Sequence, residues 1–185
     1  MKNIYFTGFN ALLSIIMFTV AITLNFFQMT INFLSVSGIL QPLTDLLPEK
    51  EIRILTFLGI AFLFYLVLSG FKLISDMIWQ FALLLFSKDN EGVDLLATKK
   101  YSFVFLIGGL IAIFLNNSLV YIAIILLVSV IAFYILFLIK QRSNYTIVGV
   151  IGFIMIQLIV WGLVGSGVVY GAFTVLAKFK TSMPF

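Results

Sequence analysis

The stretch IRILTFLGIAFLFYLVLSGFKLISDMIWQFALLLF, residues 52–86, decides the fold. It is thirty-five residues of mostly Leu, Ile, Phe and Ala, with Ser69, Lys72, Asp76 and Gln80 near its middle. An apolar run longer than about 18 residues crosses the hydrocarbon core as a helix. Residues 72, 76 and 80 are spaced i, i+4, i+8, so on that helix they stack on one face while the others stay apolar. A charge pair in an apolar helix is costly. Lys72 and Asp76 must pair with each other, reach a headgroup, or face protein and water.

The whole chain has the same character. Of its 185 residues 63% are hydrophobic and 10% charged, with a mean hydropathy of +1.22. Soluble domains carry about a quarter of charged residues, so this composition cannot cover a water-facing sphere. It implies an all-α, polytopic transmembrane helix bundle. The net charge of +4 is scattered through the loops, which suits topology and headgroup contact and gives no case for nucleic acid.

Missing residue types exclude chemistries. With no cysteine there is no disulfide, iron–sulfur ligation or thiol catalysis, and with no histidine the commonest metal ligand and general base are gone. A zinc hydrolase or deaminase and a histidine-ligated haem cannot be built. An intramembrane aspartyl dyad needs two acids, and only Asp76 lies within a span. There is no P-loop and no GxSxG. Ser69 and Lys72 are the one imaginable nucleophile pair. No catalytic residue, metal site or cofactor is expected.

Outward from the central stretch, five spans are expected at about 5–37, 52–86, 101–115, 119–139 and 145–177, the first, second and fifth being long. Met1–Asn10 has one lysine followed by an apolar run longer than a signal-peptide core, so it is read as the start of the first span. On that span Thr7, Ala11, Ser14, Ala21, Asn25, Gln28, Asn32 and Ser35 alternate by three and four, a seam that should face protein. Asn25, Gln28 and Asn32 either bond to neighbouring helices or line a polar path.

Residues 38–51 form a loop in which Pro48, Glu49 and Glu51 announce a helix start. A helix from there to Phe86 is about 58 Å long, more than a bilayer accommodates upright. It either tilts and protrudes with Lys72 and Asp76 at depth, or ends its span at Lys72 with residues 77–86 lying along the membrane. The low polarity of 77–86 favours the first.

Residues 87–100 read as a solvated polar loop; Asp89-Asn90-Glu91-Gly92 lacks the spacing of a calcium loop. Asn116-Asn117-Ser118 should turn tightly between the third and fourth spans. The fifth carries Gly149, Gly152, Gly162, Gly165, Gly167 and Gly171, for close helix packing or for a hinge at Gly165-Ser166-Gly167. With five spans, Lys2, Lys88, Lys99, Lys100, Lys140 and Arg142 lie on one side and Lys50, Arg53, Lys178 and Lys180 on the other. Six against four puts the N-terminus inside. A break at Gly165 would return the C-terminus inside and make it eight against two.

Met1-Lys2-Asn3 with Tyr5 and Thr7-Gly8, then Glu49-Lys50, Ile52-Arg53, Leu68-Ser69 and Lys72-Leu73-Ile74, resemble the YufK family of small Bacillus-type membrane proteins along nearly the whole chain. The resemblance implies a multi-pass protein of a bacterial cytoplasmic membrane and transfers no functional residue. Two functions from different classes remain. One is a non-enzymatic accessory, assembly or interaction protein whose partners are the lipid bilayer and other membrane proteins or itself. The other is a small transporter or channel component using Lys72, Asp76 and Gln80 beside Asn25, Gln28 and Asn32.

Overall fold

The computed structural model describes residues 4–89, 92–116, 118–140 and 142–182, and among these there is no strand. The protein is an all-α, polytopic transmembrane bundle. Its helices are α1 (Ile4–Val36), α2 (Leu40–Leu46), α3 (Glu49–Phe86), α4 (Val93–Tyr101), α5 (Phe103–Phe114), α6 (Leu119–Lys140) and α7 (Ile147–Ser182), with one 3-10 turn at Arg142–Asn144. Five segments are long and apolar enough to cross a membrane: Phe9–Val36, Glu49–Phe86, Asp94–Phe114, Leu119–Lys140 and Ile147–Gly171.

Pro48 stands before α3, and Glu49 and Glu51 occupy its first turn, as the dipole favours. The helix then runs unbroken to Phe86. Residues 77–86 continue the same helix within the bundle; they hold Ile78, Trp79, Ala82 and Leu83, all buried. Trp79 is the centre of the main core, its ring 4.8–5.0 Å from those of Phe133, Tyr134, Phe137 and Phe153. Offset and edge-on aromatic contacts of this kind add to the burial of large apolar surfaces.

Two expected boundaries move. The polar loop at 87–100 is helical from Val93 onward, because Gly92 takes the left-handed φ of 76° that starts the turn, while Asp94 in the first turn and Lys99 and Lys100 in the last match the dipole. The third span thus draws on α4 as well as α5. The loop at 38–51 contains α2. Asn90 and Glu91 of the calcium-like run, and Asn117 of the tight turn, lie outside the described residues.

α1 and α5 run side by side at close range. A Cβ on Gly109 would stand 2.8 Å from the Cβ of Met17, and one on Gly108 would stand 2.1 Å from Ser129 Oγ on α6. Glycine is therefore what lets three helices meet. Asn25 Nδ2 donates to the carbonyl of Asn116, just past the end of α5. The seam on α1 is buried at Ser14 and Ala21, but Gln28, Asn32 and Ser35 are exposed. The reason is length: α5 ends at Phe114, and no helix of that hairpin stands beside the upper turns of α1.

Ring contacts set the heights of the long helices. Phe26 meets Phe64, Phe27 meets Phe57, Trp79 meets Phe153 and Phe71 meets Trp161. α3 is thus antiparallel to both α1 and α7, and its residues from about 64 to 86 lie level with α6. Beyond the α5–α6 turn only α1, α3 and α7 continue, and residues 49–63 of α3 add about 22 Å. The five-helix end is well packed. α7 is open from Gly162 onward: residues 165–170 are all exposed, and nothing lies within 4 Å of a Cβ built at Gly162, Gly165, Gly167 or Gly171.

Gly109→Ala is expected to lower the thermal midpoint in detergent, at about 1–3 kcal/mol of overpacking. Gly162→Ala meets no neighbour and should leave the midpoint unchanged or raised, through a helix propensity gain of about 0.5–1 kcal/mol. Equal effects at the two sites would contradict the packing described.

Candidate functional site

α3 brings Lys72 and Asp76 one turn apart, and Nζ donates to Oδ1 of the carboxylate. Their side chains are 36% and 49% exposed, so the pair sits on the flank of the bundle near mid-height of its packed half. Each charge is answered by the other within one helix. Gln80, one turn on, is exposed beside an open groove of about 580 Å³ whose walls include Met77, Phe81 and Leu84 and whose end holds Ser87 and Asp89.

The remaining polar candidates lie elsewhere. Asn25 is committed to the Asn116 carbonyl, and Gln28 and Asn32 are exposed on the upper turns of α1. None of Asn25, Gln28, Asn32, Lys72 and Asp76 lines that groove or the second one, an apolar crevice of about 270 Å³ between α1, α3 and α6. The six residues do not come together. Gly165, Gly167 and Gly171 lie in an unbroken helix; a backbone ladder without proline needs no side chains to continue, and Ser166 Oγ donates to the Leu163 carbonyl at 2.9 Å. The expected alternative of two half-helices with a returning C-terminus is therefore corrected to one continuous helix.

A different polar cluster is the best-connected one among the described residues. Asp94, 1% exposed, accepts from Ser87 Oγ at the end of α3 and, through Oδ1, from Asn144 Nδ2 at 2.7 Å. Its own N–H donates to Asp89 Oδ2 at 2.6 Å, and the Asp89 N–H donates to Ser87 Oγ at 3.0 Å. The Lys88 N–H donates to the Asn144 carbonyl at 3.1 Å. One carboxylate thus ties the end of α3, the first turn of α4 and the link between α6 and α7. Tyr145 packs beside it. Burial, and then the negative charge of Asp94, raise the phenol above its ordinary pKa.

Asp94 stands in the stretch expected as a solvated loop, and it is buried in the first turn of α4. The available signal was local: an acid followed by two leucines and, five and six residues on, two lysines is the charge order of a short helix. Nothing in the sequence pairs it with Asn144, fifty residues away. Chemically the junction is a clamp. Among the described residues no group of three or more His, Cys, Asp or Glu side chains is placed to hold a metal ion.

The chain matches the profile of DUF5366, a family of unknown function, over residues 27–184. It is also similar to the uncharacterized membrane protein YufK of Bacillus subtilis (strain 168), at 28% identity over 184 residues that cover both chains in full. No solved structure matches it.

Asp94→Ala strands the Ser87 and Asn144 donors and should cost about 3 kcal/mol, read as a lowered unfolding midpoint. For the flank pair, either Lys72→Met or Asp76→Leu alone leaves one unanswered charge, so the double variant should be more stable than both singles; additive losses would contradict pairing. The raised Tyr145 pKa favours the folded state fully below the unfolded tyrosine value of about 10. That contribution is lost as pH climbs past it, so a stability decline above pH of about 10 should be smaller in Tyr145→Phe.

Proposed function

The chain belongs to DUF5366, a family of unknown function, and we propose that it is a non-enzymatic interaction or assembly protein of the bacterial cytoplasmic membrane. The observation that carries this reading is the contrast between the two halves of α7. In the first, α7 packs with α3 to α6 around Trp79, and Asp94 clamps its link to α6 against the end of α3. In the second, residues 165–170 are all exposed, and Gly162, Gly165, Gly167 and Gly171 face open space. Lipid tails fill such space poorly against a glycine face, whereas a second helix approaches it closely and gains dispersion contacts. The partner is a membrane-embedded helix, either of another protein or of a second copy.

Transport has less behind it. Its six expected residues are dispersed, and the ion pair meant to bind a cation satisfies itself on the flank. The exclusions drawn from a chain without cysteine or histidine weigh against catalysis.

The test uses the natural absence of cysteine. Single cysteines at Gly167 and Gly171, and at the packed Gly149 as a control, are oxidised in native membranes. Cross-linking at 167 and 171 but not 149, to a copy or to a defined membrane protein, is the expected result. Gly167→Leu should then weaken association about tenfold, or about 1.4 kcal/mol, with the unfolding midpoint unchanged. A monodisperse monomer in mild detergent, with no cross-link at any of the three positions, would sink the reading.

A further inference from the structure

α7 buries one amide that nothing in the bundle answers. Gln157 is 4% exposed, and among the described residues neither its Oε1 nor its Nε2 has a hydrogen-bond partner. An unpaired buried amide is among the costlier features a core can carry, and inside a bilayer no bulk water relieves it. A second orphan is close by. Trp79 is 5% exposed, and its Nε1–H also lacks a partner among the described residues.

The two are brought to one height by the helix pairing. On α7, Gln157 follows Phe153 by one turn and precedes Trp161 by one turn. Phe153 meets Trp79 at 4.9 Å and Trp161 meets Phe71 at 6.3 Å. Gln157 therefore stands level with the position midway between Phe71 and Trp79 on α3, which is Ser75. Phe71, Ser75 and Trp79 are spaced i, i+4, i+8 and form one stripe toward α7. Helical side chains lean toward the N-terminus of their own helix. Because α3 and α7 are antiparallel, Gln157 leans toward Trp79 and Trp79 leans toward Gln157.

We propose that Gln157, Trp79 and Ser75 form a buried site for a water molecule between α3 and α7. The donor set selects this guest. The indole N–H and one of the two amide N–H groups need an acceptor and the amide oxygen needs a donor, which a single water supplies with the three bonds typical of buried waters. The ring pairs Phe71–Trp161 and Trp79–Phe153 stand one turn above and one turn below the height of Gln157. A bare cation would face two N–H donors, and the carboxylate at that height, Asp76, is engaged by Lys72. The site is independent of the interaction reading: it lies in the packed part of α7, before Gly162.

Trp161→Phe leaves Trp79 as the sole tryptophan of the full chain and keeps an aromatic ring against Phe71. In that background the emission of Trp79 is recorded in ordinary and heavy water. An indole bonded to water emits to the red of a dry one and brightens in heavy water. Both responses are expected, and Gln157→Leu should shift the emission to shorter wavelength and abolish the heavy-water effect. Should Gln157→Leu fail to fold, the heavy-water comparison on the Trp161→Phe protein alone decides. Short-wavelength emission indifferent to heavy water, or a Gln157→Leu protein with a higher unfolding midpoint, would mean a dry, unanswered amide and would overturn the site.

Discussion

Asn25 reaches from α1 to the carbonyl of Asn116, where α5 has ended and α6 is about to begin. A helix end needs such an answer, because its last carbonyls have no intrahelical donor. With the turn satisfied in this way, α5 and α6 form a short hairpin that stops level with Phe64 of α3, while α1, α3 and α7 continue past it. Everything asymmetric about the molecule follows. Below the turn five spans share a core; above it α1, α3 and α7 continue, with α2 joining the first two, and long flanks are exposed.

The polar residues of the packed half divide the work of holding it. Asp94 fastens three chain segments at the loop end with uncharged donors, which orient a carboxylate at less desolvation cost than a second buried ion demands. The Lys72–Asp76 pair is placed on the flank, where each charge answers the other one turn away. Between these heights glycines at 108, 109, 149 and 152 replace side chains where helices press closest. This arrangement is structural in character, and it leaves the upper half of α7 as the face with contacts still to make.

Fold class and threading were legible because hydrocarbon thickness acts on single segments: an apolar run such as 119–139 announces itself without reference to the rest of the chain. Pro48 and the two glutamates likewise marked the start of α3 locally. The Asp94 clamp was illegible for the opposite reason, since it depends on Asn144 being folded back beside Ser87. The seam on α1 was half legible. Its periodicity is genuine, but whether a seam residue is covered depends on the length of a different helix, so Ser14 and Ala21 are buried while Gln28 and Asn32 are not. The glycines of α7 read alike in sequence, yet Gly152 is pressed against the ring of Phe86 and Gly167 touches nothing.

The gradient of packing along α7 also partitions the stability of the molecule. Opening a segment costs roughly the contacts it forfeits, and above Trp161 there are few to forfeit, while below it release of the helix would uncover Phe153 and break up the rings around Trp79. Thermal agitation should therefore fray α7 from its upper end, each turn leaving singly, until the loss reaches Trp161; beyond that the five-helix half gives way as one unit. A partner that caged the upper turns would abolish this separate, earlier softening and make the chain melt in a single step.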